Sequence, residues 1–336
     1  MKISARTGAA TRPGPPPRFD PELAGPVARL RRELDLPLTR DKITASRARG
    51  AAGTLSDDEI RRGGAFDFEE HHAPGPSGAE SVRLLVCRPT RTPPPHPVLF
   101  NIHGGGMVAG GYRAVDLADE LERAEELQCA VVSVEYRLAP EHPDPAPVED
   151  CYAGLRWVMG AAADQGLRPE AVVVSGNSAG GGLAAGVALL ARDRGGPRPL
   201  GQLLQCPMLD DRCDTPSSVQ QAETGLWDGT SDRTGWTALL GDRRGTTDVS
   251  PYAAPARATD LARLPPAYLD VGAVEALRDS TVDYASRIWL AGGDAELHIW
   301  SGAFHSFDWW VPDAAVSRAA RRSRVDWLRR LLRRAS

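Results

Sequence analysis

Short apolar runs of five to eight residues recur along the chain from about residue 65. They read AFDFEEHH (65–72), VRLLVCR (82–88), PVLFNIH (97–103), AVVSVEYR (130–137), AVVVSG (171–176), LLQCP (203–207), AYLDVG (267–272) and ELHIW (296–300). Runs of this length, bounded by Pro, Gly and charged residues, predict β-strands. The early runs lie close together, as in hairpins, with TPPPHP supplying one turn. The later ones are separated by helical patterns such as VEDCYAGLRWVMGAAADQG and STVDYASRIWLAGG. Strands interleaved with helices predict an α/β fold: about eight strands in a mostly parallel sheet, covered by helices on both faces.

Outside this alternation the rhythm changes. Residues 1–19 are rich in Pro, Gly and Arg and read as a loose tail. From Pro21 to about Arg62 the pattern is helical, with Leu23, Val27, Leu30 and Leu34 on one face. TLSDDEI reads as a capped helix start, with Ser56 or Thr54 as the cap and acids in the first turn. Between Asp210 and about Ala254 the chain is polar and shows no strand pattern, an excursion of the kind that forms lids. The C-terminal stretch SRAARRSRVDWLRRLLRRAS predicts a basic helix with Val325, Leu328 and Leu331 as its apolar stripe and a solvated charged face.

Composition narrows the classes. A net charge of −4 gives no general attraction to nucleic acid or anionic lipid. No apolar run reaches the roughly 18 residues of a membrane span, and the N-terminus lacks a signal-peptide core, so a cytoplasmic protein is expected. The cysteines, Cys87, Cys129, Cys151, Cys206 and Cys213, form no CxxC pair and read as buried free thiols.

The chemistry is concentrated at three places. Gly176-Asn177-Ser178-Ala179-Gly180 fits G-x-S-x-G, the strained strand-to-helix turn that exposes a nucleophilic serine. Leu183, Val187 and Leu190 continue the predicted helix, whose N-terminus offers N–H groups and a positive dipole end to a reacting carbonyl. His103-Gly104-Gly105-Gly106 leaves the strand PVLFNI, and its N–H groups, with that of Ala179, can point at an oxyanion. His305, in WSGAFHSFDWW after the last strand, is the expected general base. The acid is expected after PPAYLDVG, where the candidates are Asp270, Glu275 and Asp279. Asp270 lies inside the strand and Asp279 reads as a helix start, so Glu275, just past the strand end, is the choice. The chain order serine, acid, histidine fits this arrangement.

With these motifs the sequence resembles the bacterial hormone-sensitive-lipase-like (family IV) esterases of the α/β-hydrolase fold. The resemblance rests on HGGG (103–106), YRLAPEHPDPAPVEDC (136–151), GNSAGGG (176–182), CPMLDDR (206–212), LRD (277–279) and GAFHSF, and it covers nearly the whole chain from about residue 20. It implies an oxyanion hole of Gly105, Gly106 and Ala179. It also implies a cap built from N-terminal helices (20–64) and part of 210–245, over a catalytic domain spanning 65–336. Met107, Trp227, Trp236, Trp309 and Trp310 are then candidates to line the substrate pocket. Two positions depart from the family pattern: Asn177 stands where Asp or Thr is common, and Glu275 where Asp is usual.

The expected activity is hydrolysis of short- to medium-chain esters through an acyl-enzyme on Ser178, with a small-molecule ester as partner and no metal or cofactor required. A homodimer is compatible with the resemblance. The same machinery would serve an amidase, lactonase or deacetylase. A non-catalytic ligand-binding relative, as in plant gibberellin receptors that lack the histidine, is disfavoured by His305. Dinucleotide binding at SGNSAGGG fails because G-x-G-x-x-G is not met.

Overall fold

The computed structural model describes residues 13–76 and 80–335. Eight strands form one sheet: β1 (Phe66–Ala73), β2 (Val82–Pro89), β3 (His96–Ile102), β4 (Ala130–Glu135), β5 (Leu167–Asn177), β6 (Gly201–Gln205), β7 (Ala267–Gly272) and β8 (Ala295–Trp300). Their order is β1-β2-β4-β3-β5-β6-β7-β8. β1 and β2 pair antiparallel, β2 meets β4 antiparallel, and every pair from β4 through β3 to β8 is parallel. The α/β-hydrolase expectation is met in strand count and direction.

The helices are α1 (Pro21–Glu33), α2 (Ile43–Ala52), α3 (Asp57–Arg61), α4 (Asp116–Leu127), α5 (Ala146–Ala161), α6 (Ala179–Asp193), α7 (Pro216–Gln220), α8 (Gly229–Leu240), α9 (Arg278–Leu290), α10 (Phe307–Trp310) and α11 (Ala315–Arg333). One core cluster joins α5, α6, α8 and α9 to the sheet; a second lies under α4 and α11 on the other face. Central strands are therefore buried on both sides, which is why β3 to β7 read as continuous apolar runs and not as alternating ones.

Two expectations are corrected, and a third is described only in part. TPPPHP does not turn a hairpin, because β2 pairs with β4 and β3 lies between β4 and β5. His96–Ile102 is buried on both faces, and a strand of that kind takes the sheet centre, where parallel crossovers place it. The expected tail of 1–19 is described only from residue 13, and its end is docked. Phe19 packs edge-on against Phe304 with ring centroids 6.4 Å apart, and the Asp20 N–H donates to the Gly302 carbonyl at 3.0 Å. The basic face of α11 is not wholly solvated: Arg324 is buried between Asp270 and Asp308, while Val325, Leu328 and Leu331 form the expected stripe.

Local signals account for the remaining entry helices. Asp20 caps α1 by accepting from the Glu22 N–H at 2.8 Å. Ser56 and Glu59 form a reciprocal capping box on α3. Leu23, Val27 and Leu30 of α1 pack into a cluster with Phe304 and Phe307, so the N-terminal helix sits directly on the loop after β8.

Candidate active site

The serine lies between β5 and α6 with φ 57° and ψ −119°, a conformation costly for a non-glycine residue. The flanking glycines make that turn possible. A Cβ on Gly176 would fall 2.2 Å from the Gly180 carbonyl oxygen, and one on Gly180 would fall 1.9 Å from that of Ile102. The Ser178 N–H donates to the Gln205 carbonyl at the end of β6 at 2.8 Å, and Met208 and Gly182 N–H groups donate to the Ser178 carbonyl.

Three strand ends converge here. Ser178 Oγ stands 2.9 Å from His305 Nε2, and His305 Nδ1 stands 3.2 Å from Glu275 Oε1. The second Glu275 oxygen accepts from the Gly272 N–H at 3.0 Å, which fixes the carboxylate at the end of β7. All three side chains are buried. Burial alone pushes the imidazole toward losing its proton; the adjoining Cys206 sulfur and Glu275 carboxylate outweigh it and hold His305 well above its ordinary value. The rival acids are engaged elsewhere. Asp270 accepts from Trp300 Nε1 at 3.0 Å and pairs with Arg324, and Asp279 accepts from the Ser217 N–H at 2.7 Å.

The glycine run approaches from β3. Gly105, Gly106 and Met107 have φ of 106°, 63° and 63°, and no acceptor among the described residues takes the N–H groups of Gly105, Gly106 or Ala179. Consecutive N–H groups in such a turn make an anion-binding concavity. His103 is a structural member: its ring stacks on Tyr136 at 4.0 Å, and burial pushes it down to about 4, so it stays neutral.

Of the candidate pocket residues, Trp227 lies at the site, its ring centroid 6.1 Å from that of His305 and its indole N–H donating to Asp232 Oδ1 at 3.1 Å. Its ring edge occupies the space a Cβ on Gly106 would need, at 2.3 Å. Met107 and Trp236 have no exposed surface and belong to the main core, because each points inward from its turn or helix. Trp309 and Trp310 sit on α10 with rings 4.5 Å apart. Trp309 faces a small polar cavity with Asp116, Asp119 and Arg123, and Trp310 packs against the α1 cluster.

Four contributors escaped the sequence reading. Asp116 Oδ2 accepts from the Gly104 N–H at 2.9 Å and so holds the glycine loop. Burial pushes that carboxyl up to about 6. Asn177 Oδ1 accepts from Ser306 Oγ at 3.2 Å, tying the serine turn to the histidine loop. Arg324 and Asp308 brace that loop from behind. Asp116, Arg324 and Asp308 sit in ordinary-looking helical or loop sequence, and only the unusual Asn177 carried a visible signal.

A family model described as the alpha/beta hydrolase fold matches residues 99–308, from within β3 into the helix after His305. The chain belongs to the α/β-hydrolase family. Within it, this hydrolase groups with the bacterial hormone-sensitive-lipase-like esterases. It is 37% identical over 236 residues to the carboxylesterase NlhH of Mycobacterium tuberculosis, covering 68% of this chain and 72% of that protein. Among solved structures it is similar to a bacterial heroin esterase, with TM-score 0.86 and 39% identity over 94% of this chain and 98% of that one. The esterase LipW of Mycobacterium marinum follows at TM-score 0.80 and 32% identity, over 94% of this chain and 98% of that one. Among the described residues, no helix of this hydrolase is long and apolar enough to cross a membrane.

Proposed function

We propose that this carboxylic ester hydrolase cleaves short- to medium-chain esters of small molecules by acyl transfer through Ser178. The observation that carries the reading is the continuous chain Ser178 Oγ, His305 Nε2, His305 Nδ1, Glu275 Oε1, with steps of 2.9 and 3.2 Å. In the productive tautomer Nδ1–H donates to Glu275, leaving Nε2 free to accept the serine proton as Oγ attacks the ester carbonyl. The Gly105, Gly106 and Ala179 N–H groups hold the developing oxyanion, each worth roughly 10²–10³ in rate. His305 then protonates the leaving alcohol, and water attacks the acyl-enzyme by the same sequence in reverse. Glu275 stabilises the transient imidazolium.

Substrate size is set by what overhangs the serine. Trp227 closes one side, and α1 to α3 with α7 and α8 form the proposed cap. A p-nitrophenyl ester series from acetate to decanoate tests both points. Rates are expected to peak at short chains and to fall by roughly 10⁶ in Ser178→Ala; equal rates in the two proteins would contradict the reading. Preference for amides over esters in the same assay would instead favour an amidase.

The proposed assembly is a homodimer through the edge of β8. That strand ends the sheet and exposes Ile299, and the end of α9, which packs on the start of β8 through Trp289, exposes Trp289 and Leu290. Light scattering should give twice the chain mass, falling to one chain mass in Ile299→Arg. The five unpaired cysteines favour a reducing, cytoplasmic setting.

A further inference from the structure

Cys206 leaves the end of β6 at φ 35° and carries a thiol into the back of the catalytic cluster. Its sulfur, a Glu275 carboxylate oxygen and a His305 ring nitrogen all lie within 4.8 Å of one another, and all three residues are buried. The hydrolytic mechanism uses two of these groups and gives the thiol no part. We propose that Cys206, Glu275 and His305 together form a binding site for a thiophilic divalent cation of the Zn²⁺ or Cd²⁺ class, and that occupation of this site switches the enzyme off.

The donor set and spacing suit such an ion. With metal–ligand lengths of about 2.0 to 2.3 Å, the edges of a tetrahedral S, N, O site run to roughly 3.3–3.6 Å. The His305 Nδ1 to Glu275 Oε1 separation of 3.2 Å already matches one edge. The sulfur closes the others by moving about 1 Å, by the same bond lengths. Its contacts to Asn177 Nδ2 and Ser306 Oγ are weak, both at 3.6 Å, and it also interacts with the His305 ring it would share the ion with. Cys206 and His305 are buried but keep 5% and 7% of their surface exposed. A thiolate with one imidazole and one carboxylate selects a soft or borderline cation over Mg²⁺ or Ca²⁺.

Inhibition follows from the imidazole tautomer. An ion on Nδ1 needs the lone pair there, so the ring proton moves from Nδ1 to Nε2 and the imidazole stays neutral. The Cys206 thiol proton is released to solvent, and where the ring starts as the imidazolium its Nδ1 proton is released as well. Nε2–H then donates toward Ser178 Oγ and can no longer accept its proton. The other cysteines are poor competitors: burial pushes Cys87 and Cys129 up to about 12, and Cys151 and Cys213 well upward as well.

The inhibition rests on the proposed Ser178–His305 chemistry, whereas the binding does not, and the experiment separates them. Ser178→Ala protein is titrated with CdCl₂ while the thiolate-to-cadmium charge-transfer band is followed in the ultraviolet. Wild type is assayed on p-nitrophenyl acetate over the same concentrations. One band-forming ion per chain is expected, weakened at least about tenfold when Cys206→Ala is added and retained with Cys213→Ala. The inhibition midpoint should shift by the same factor. Cys206→Ser, checked by circular dichroism, serves if the alanine variant does not fold. A band that survives in both Cys206 variants, or none with Cys206 present, overturns the site. A Cys206-dependent band on an enzyme inert toward every ester would uphold the site and sink the catalytic reading instead.

Discussion

At the residue scale the site depends on charge placed where it forms during reaction. Glu275→Gln keeps the shape but removes the anion that fixes the His305 tautomer. kcat is expected to fall by roughly 10⁴ with KM little changed, as for loss of the acid in such triads; a loss under about tenfold would place the acid elsewhere. The raised pKa of His305 sets the sign of the pH profile. The neutral imidazole is the working base, so kcat/KM should rise with pH through an apparent pKa above the usual value of about 6.5. An ascending limb centred below that value would contradict the environment described. Asp116 acts one step removed, through the Gly104 N–H. Asp116→Ala should lower kcat roughly 10²-fold by freeing the oxyanion loop, and Asp116→Asn should restore it by keeping an acceptor. Equal loss in both variants would mean that the charge, and not the hydrogen bond, is what matters. That Ser178, Glu275 and His305 would come together was legible in the sequence, because each sits in a short motif at a strand end. Asp116 was not, since its partner is a backbone N–H and no side-chain pattern reports that.

Elements carry the site by being pinned to one another. Arg324 on α11 bonds Asp270 on β7 and Asp308 on α10, and thereby braces the strand leading to Glu275 and the turn following His305. Burial opposes the charges, yet the two carboxylates hold the guanidinium protonated, and Arg324 keeps Asp308 below its ordinary value. Arg324→Met leaves Asp270 without its cation and Asp308 with only the more distant Arg321 and Arg123. Urea unfolding should show a loss of about 3–5 kcal/mol, and a loss below about 1 kcal/mol would show that the carboxylates find other partners. The strands and most helices were legible because burial on both faces writes continuous apolar runs. Arg324 was not, because in a helix with many arginines the one facing inward has the same local pattern as those facing water. The misplaced hairpin at TPPPHP has a similar cause: adjacency in sequence says nothing about β4 coming to lie between β2 and β3.

For the whole molecule, the sheet topology brings together residues almost 130 positions apart, the separation of Ser178 and His305. The serine, acid and histidine stand past the carboxyl ends of β5, β7 and β8, where open α/β sheets gather their ligands. The first helix, α1, closes over the histidine loop through Leu23, Val27 and Leu30 against Phe304 and Phe307. The order of motifs along the chain made this convergence legible. Side-chain destinations such as Met107 and Trp236 in the core and Trp227 at the site were not, because an apolar residue beside a cleft and one behind it share one composition. The central claim is a covalent acyl-enzyme on Ser178, and mass spectrometry after reaction with diethyl p-nitrophenyl phosphate tests it most directly. The expected result is one diethylphosphoryl group per chain, located on the peptide containing Gly176–Gly182 and lost in Ser178→Ala. A label on any other residue, or none on an enzyme that still hydrolyses esters, would contradict it.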